Sequence, residues 1–262
     1  MSYDTIVFSV DGGIARLTLN RPDKLNSFNT PMHGEVRHAL ALLPGSGARV
    51  LVLTGAGRGF CAGQDLGDRA VAPGSQGVDL GESIDQHYKP LVLSLQSLPM
   101  PVIAAVNGVA AGAGANIALA CDLVIAARSA TFVQAFSKIG LLPDSGGTWT
   151  LPRLVGNARA LGLTLLGNKL PAEQAAAWGM IWQCVPDAEF AGTVDTLAQQ
   201  LAAAPTRGLA STKAAIRDGW RHSLAEQLDI ERDAQRELGR SSDYAEGVAA
   251  FIEKRTPRFT GH

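Results

Sequence analysis

Twice in this chain a short aliphatic run ends in a cluster of glycines. Val50–Thr54 is followed by Gly55-Ala56-Gly57. Val102–Val106 is followed by Asn107-Gly108 and then Gly112-Ala113-Gly114. Apolar runs of roughly four to eight residues bounded by glycine read as fully buried strands. Helical stretches follow each, so the order is strand, glycine-rich turn, helix. That alternation predicts an α/β fold with parallel strand pairing.

The flanking segments fit this frame. Thr5–Val10, Asp11-Gly12-Gly13 and Ile14–Leu19 predict a hairpin. Asn20–Asn26 reads as a polar loop, and Thr30-Pro31 opens a helix that stops near Leu43 at Pro44-Gly45. Gly67–Gly81 reads as a mobile loop, followed by helix to about Leu98. Leu123–Ala126 and Thr131–Val133 are further short strands. Beyond Gly156 the chain turns helical, with one start at Pro171-Ala172-Glu173 and a capping box at Ser223-Leu224-Ala225-Glu226. Leu224, Leu228, Ala234 and Leu238 lie near one stripe of that last helix. We therefore divide the chain into an α/β part, residues 1–200, and a C-terminal helical part, residues 201–262.

Bulk properties narrow the function classes. A net charge of −1 gives no basic surface for nucleic acid. Cys61, Cys121 and Cys184 are odd in number and lack CxxC spacing, so neither a disulfide framework nor a metal site is expected, and a cytoplasmic setting is. The N-terminus lacks the pattern of a signal peptide. The most apolar stretch, Val102–Ala120, is dense in Gly and Ala and contains Asn107 and Asn116, which suits a buried core element rather than a membrane span.

Three segments could carry chemistry. Small residues in the two turns let a ligand approach the backbone, and the first N–H groups of the helix after the second turn can bind an anion. The same residues could equally serve tight helix packing. Neither turn has the third glycine of a dinucleotide loop or the Gly-Lys-Ser/Thr of a P-loop. The third segment, Gly140-Leu141-Leu142-Pro143-Asp144-Ser145-Gly146-Gly147, sets an acid among apolar residues and turn formers. Burial there would raise the Asp144 pKa and suit it to moving protons. Asp144 could instead cap the helix that follows. Ser145 lacks the Gly-x-Ser-x-Gly setting of a hydrolase nucleophile. His33, His38, His87 and His222 fall on predicted helices without an acid or Cys partner and read as surface histidines.

In combination these stretches resemble the enoyl-CoA hydratase/isomerase (crotonase) superfamily along nearly the whole chain. The matching segments are Leu19-Asn20-Arg21-Pro22 with Leu25-Asn26-Ser27-Phe28, Gly59-Phe60-Cys61-Ala62-Gly63-Gln64-Asp65-Leu66, Pro101–Gly112, Cys121–Ala126, and Gly146-Gly147-Thr148 with Leu151-Pro152-Arg153. The resemblance implies a spiral of ββα units with a C-terminal helical region. It implies trimers that pair into hexamers, with that region serving oligomerisation and covering of CoA. The substrate would be an acyl-CoA thioester, so CoA is part of the substrate and no metal or separate cofactor is expected. The thioester oxygen would be held by the backbone N–H groups of Ala62 and Ala113.

A hydratase's two glutamates would fall at Asn116 and Phe136, and neither residue can activate water. That leaves Asp144, where some family isomerases place a catalytic aspartate, desolvated by Phe136, Leu141, Leu142 and Trp149. The segments Gly55–Leu66, Ala135–Asp144, Trp178–Gln183 and Gly247–Gly261 resemble, within the family, isomerases that convert a ring-1,2-epoxyphenylacetyl-CoA to its oxepin in phenylacetate breakdown. The alternatives are a general 3-enoyl to 2-enoyl-CoA isomerase or a silent, oligomeric or RNA-associated member. Asn116 would orient the substrate or merely satisfy a helix start. Arg21 and Lys24 would meet CoA phosphates or remain solvated loop charges. Gly63, Gln64 and Asp65 would line the adenine side of the first turn, with Asp65 also suited to capping the next segment. Lys254 and Phe259 would cover CoA, in some members from a neighbouring subunit.

Overall fold

The computed structural model describes residues 2–69 and 79–262. Residues 70–78, the middle of the expected Gly67–Gly81 loop, lie outside the described residues. Strands β1 (Ile6–Asp11) and β2 (Ile14–Leu19) form the expected hairpin. Gly12 and Gly13 take φ of +55° and +79°, the pair of left-handed residues that a two-residue hairpin turn requires. Helix α1 (Thr30–Leu42) begins as expected, but its cap is Asn29, whose side chain accepts from the Met32 N–H. The short Asn amide reaches that N–H from one residue further out than the expected Thr30.

Three strand pairs then repeat one geometry. β3 (Val50–Gly55) leads into β4 (Gly59–Cys61), β5 (Val102–Val106) into β6 (Val109–Ala111), and β7 (Leu123–Ala127) into β8 (Thr131–Val133). The first strand of each pair joins one sheet and the second joins another. With β9 (Lys169–Pro171) and β10 (Gln183–Val185), the sheets run β1-β2-β3-β5-β7-β10 and β4-β6-β8-β9. Pairing is parallel except for the β1–β2 hairpin and β8–β9. This is the expected spiral. The three-residue strands β4, β6, β9 and β10 are additions, because so short a run carries no readable periodicity.

Helices cover both faces of the larger sheet. They include α2 (Leu80–Ser83), which continues through a π turn over Ile84–Tyr88 into α3 (Lys89–Ser97), and α4 (Ala113–Ala120). Next come α5 (Gly147–Leu166), α6 (Ala172–Ala177) and α7 (Asp187–Ala203). The two-residue period of the strands splits the core. Leu51, Leu53, Val102, Ala104 and Val106 face the main core, while Val50, Val52, Ile103 and Ala105 pack beneath Val194, Ala198 and Ala202 of α7. Residue 200 therefore falls inside a helix that belongs to the sheet, and the C-terminal helices start after Pro205. Val102–Ala120 is buried almost throughout as β5, β6 and α4. Among the described residues no helix is long and apolar enough to cross a membrane.

Helices α8 (Thr206–Asp218), α9 (Leu224–Leu238) and α10 (Ser242–Glu253) complete the chain. Ser223 and Glu226 form the expected capping box. No residue of α8 or α9 is buried. Polar bonds hold α8 instead: Lys213 Nζ and Arg217 Nη2 meet the two Asp122 carboxylate oxygens at 2.8 and 2.7 Å. Lys213 Nζ also donates to the Leu95 and Met100 carbonyls. Burial pulls the Lys213 pKa below its ordinary value, against the raising effect of Asp122.

Candidate active site

The first glycine-rich turn extends β4, and its backbone N–H groups can be accounted for one at a time. The Ala62 N–H donates to the Leu25 carbonyl at 2.9 Å. The Gly63 N–H donates to Cys61 Sγ at 3.4 Å. The Asp65 N–H donates to the Phe28 carbonyl, and the Gly63 carbonyl accepts from the Phe28 N–H. Gly63 and Asp65 thus face Phe28, and in extended chain the residue between them points its N–H the other way. That N–H belongs to Gln64, and it has no acceptor among the described residues. The expected donor Ala62 is therefore corrected. Its N–H is spent on the loop that holds the turn, and the free donor lies two residues on. Sequence alone could not place it, because the choice depends on which residues pair with Phe28.

Helix α4 supplies the second donor. Its cap residue Gly112 provides no side chain, the Gly112 N–H is held by the Val133 carbonyl, and the first helical N–H, that of Ala113, has no acceptor among the described residues. The two turns are in tight contact. A Cβ on Gly63 would lie 3.3 Å from the Ala113 nitrogen and 2.9 Å from the Ala111 carbonyl oxygen. A Cβ on Gly114 would lie 2.3 Å from the Cys61 carbonyl oxygen. The glycines thus serve close packing, and that packing sets the free Gln64 and Ala113 donors side by side at a helix N-terminus, where partial positive charge favours an anion.

Side chains brace the first turn. The buried Asn26 donates to the Ala56 and Gly59 carbonyls. Arg21 donates to the Ser27 carbonyl at 2.7 Å and to Asp65 Oδ2 at 2.8 Å. The hydrogen bond from Arg21 holds the Asp65 carboxyl below the usual carboxylate range, against some desolvation, and Asp65 also accepts from the Gly67 N–H as the expected cap. Arg21 thus braces the turn with one N–H from each terminal nitrogen. Lys24 remains exposed at the end of a 3-10 turn. Tyr88 donates to Gln64 Oε1 at 2.8 Å. Burial pushes the Cys61 thiol up to about 12, so it stays neutral.

The third segment closes over α4. Asp144 is half-buried, and Ser145 Oγ donates to its Oδ1 at 2.9 Å. Ser145 and Gly146 take φ of +51° and +82°. Helix α5 begins at Gly147 with Gly146 as its cap, so Asp144 does not occupy the cap position. Asn116, buried in the first turn of α4, donates from Nδ2 to the Asp144 carbonyl at 2.8 Å. Gln134 Nε2 donates to Asn116 Oδ1 at 2.7 Å. Phe136 is buried and faces Gly112. Leu141, Leu142 and Trp149 are exposed, Leu142 by 73%, so in a single chain only Phe136 of the expected apolar group is out of solvent. The Arg153 guanidinium stacks over the Trp149 ring at 4.0 Å.

The remaining expectations sort by location. Phe259 lies elsewhere. Arg49 at the N-terminal end of β3 donates to the Phe259 carbonyl, and Asp243 binds the Thr260 and Gly261 N–H groups. The first turn follows the opposite end of β3, about 20 Å away at roughly 3.3 Å per residue. Within one chain Phe259 therefore does not cover the site. Lys254 is exposed and ends α10 in a left-handed conformation. His38 and His222 are exposed, but His33 is buried, stacked on His87 at 4.7 Å and edge-on to Tyr88. Its helix turns it inward, which corrects the surface reading. Among the described residues no group of three or more His, Cys, Asp or Glu is placed to hold a metal ion. Tyr88 and Gln134 were not foreseen as site residues, since only tertiary contact brings them there, and Ser145 was weighed only as a nucleophile.

Comparison with known proteins gives the family. The profile of the family described as "Enoyl-CoA hydratase/isomerase" matches residues 9–262. The chain is 58% identical over 257 residues to the "1,2-epoxyphenylacetyl-CoA isomerase" of Escherichia coli K12, covering 98% of each chain. It is 50% identical to a "Probable enoyl-CoA hydratase" of Rhodobacter capsulatus, covering 100% of each. A crystal structure of an enoyl-CoA hydratase from Bacillus anthracis superposes with a TM-score of 0.92 at 32% identity, covering 99% of this chain and 100% of that one.

Proposed function

The chain belongs to the enoyl-CoA hydratase/isomerase family, and we propose that within it the chain converts ring-1,2-epoxyphenylacetyl-CoA to the oxepin thioester in phenylacetate degradation. The observation that carries this reading is the 58% identity, along 98% of both chains, with the Escherichia coli isomerase of that substrate. The residues of the site support it. Asn116 and Phe136 stand where hydratases of the family carry acids. The amide of Asn116 is engaged at both ends and Phe136 is apolar, so neither activates water. Asp144 is left as the acid–base group, and one carboxyl suits moving a proton between carbons.

In this mechanism the thioester oxygen accepts from the Gln64 and Ala113 N–H groups. Asp144 takes a proton from the carbon alpha to the thioester, and negative charge builds on the oxygen. Each backbone donor lowers the barrier by about 3 kcal/mol because it points at charge that develops only then. The epoxide expands to the seven-membered ring by breaking the carbon–carbon bond that it shares with the six-membered ring, while the ring double bonds shift and both C–O bonds stay intact. Asp144 returns the proton to a ring carbon further along the conjugated system, so substrate and product are isomers. Ser145 fixes the carboxyl orientation through its bond to Oδ1. No metal or redox group takes part, and CoA enters as part of the substrate, with exposed Lys24 beside the turn as a cation for its phosphates.

The assembly we propose is a trimer or a pair of trimers in the cytoplasm. Exposed Ile216, Trp220, Leu228 and Phe251 on the C-terminal helices give it an apolar face to bury. In this assembly Phe259 and Lys254 cover the CoA of a neighbouring subunit, a reading that the far-end position of Phe259 supports. The test compares kcat/KM for the epoxide thioester and for a straight-chain 3-enoyl-CoA. A preference of at least tenfold for the epoxide is expected. A preference for the enoyl substrate would make the chain a general enoyl-CoA isomerase.

A further inference from the structure

The contacts of Asn116 place it behind the acid rather than against the substrate. Its Nδ2 faces the Asp144 carbonyl and its Oδ1 faces Gln134 Nε2, which uses both ends of the amide. A Cβ on Gly147 would lie 2.4 Å from Asn116 Nδ2, so the turn carrying Asp144 is seated directly on this side chain. Asn116 lies one helical turn after Ala113, on the same side of α4. The Asp144 backbone is thereby tied to the same helical turn that offers the Ala113 N–H. Gln134 sets the direction of the tie. Its side chain is buried, its Nε2 points at Asn116, and its Oε1 has no hydrogen-bond partner. An amide that presented Oε1 to Asn116 would turn the Asn116 amide around and set its oxygen against the Asp144 carbonyl.

We propose that Gln134 and Asn116 form an amide relay that positions Asp144 for proton transfer, with Gln134 acting through Asn116 and neither touching the substrate. The relay rests on the reading of Asp144 as the proton carrier. Its distinguishing property is polarity: Gln134 must donate. A side chain of the same size that only accepts should be worse than an apolar one, because it reverses Asn116 and pushes the Asp144 carbonyl away. If Gln134 served packing alone, the near-isosteric acceptor would be the milder change.

The test measures kcat, KM and Tm on the epoxide thioester for Gln134→Glu, Gln134→Met, Asn116→Ala and Asp144→Asn. Misplacing a reacting group by about 1 Å costs roughly 100-fold in rate. Gln134→Glu is expected to lose about 100-fold in kcat with KM within about twofold, and Gln134→Met to lose at least tenfold less. Asn116→Ala, which removes the donor without adding charge, is expected to lose kcat rather than raise KM, and it carries the test if Gln134→Glu does not fold. Equal losses for Glu and Met at 134, or losses confined to KM, would overturn the relay. Asp144→Asn separates the two claims. If it is inactive while the Gln134 and Asn116 variants keep full kcat, only the relay fails. If it is fully active, the reading of Asp144 itself fails.

Discussion

Asp65 and Cys61 flank the free Gln64 donor, and each makes a checkable demand. Asp65 is ionised against Arg21, so its pKa in the folded chain lies below its unfolded value. A depressed carboxyl contributes stability that is present above the unfolded pKa and is lost as pH falls through the folded one. Asp65→Asn is therefore expected to reduce the fall in Tm between about pH 5 and pH 3 while lowering Tm at pH 7, as read by calorimetry. An unchanged acid limb would show that the pair adds nothing. Cys61, with its thiol pushed up to about 12 by burial, is expected to resist iodoacetamide at pH 8 in the folded enzyme. At this scale the sequence was partly legible. Asp144 stands out because an acid seldom follows Leu-Leu-Pro. The move from Ala62 to Gln64 was not legible, because both are peptide N–H groups and only the pairing with Phe28 tells which is free.

At the scale of elements, the glycine turns tie fold to site. Gly114 lets α4 lie against the β4 turn, and a methyl group there would meet the Cys61 carbonyl at 2.3 Å. Gly114→Ala is expected to lose about 100-fold in kcat by shifting Ala113 from Gln64, while circular dichroism keeps the same helix content. The helix α8 makes a different demand. It buries no residue and is held at Asp122 by Lys213 and Arg217. Asp122→Ala leaves two cations without their acid and is expected to cost about 3 kcal/mol in urea unfolding. The long apolar runs β3 and β5 and the hairpin were readable because burial on both faces, or alternation, writes itself into the sequence. The three-residue strands β4 and β6 were not, although they carry the site. Their glycines were visible while the strands they terminate were not.

The whole molecule has to explain why so much apolar surface is left open. Phe251 is 85% exposed and Trp220 72%, and surfaces of this kind mark contacts with other chains. In the proposed trimer or hexamer, Phe251→Asp is expected to shift the enzyme to smaller species in light scattering, and the proposed covering of CoA by a neighbour predicts a raised KM for the thioester with it. The α/β spiral was legible from the strand, turn and helix order. Oligomers were expected only through the family resemblance, because the stripe of Leu224 and Leu228 reads alike whether its partner is the same chain or another. The proposed function rests on one carboxyl, that of Asp144, working with two backbone donors, those of Gln64 and Ala113. The most direct test of that claim is the turnover of Asp144→Asn on ring-1,2-epoxyphenylacetyl-CoA, with folding verified by Tm. The account requires kcat to fall by about 100-fold to 10,000-fold, the range for loss of a positioned acid–base group. Turnover within about threefold of the unmodified enzyme, as an isosteric amide would allow only if it moved no proton, would contradict it.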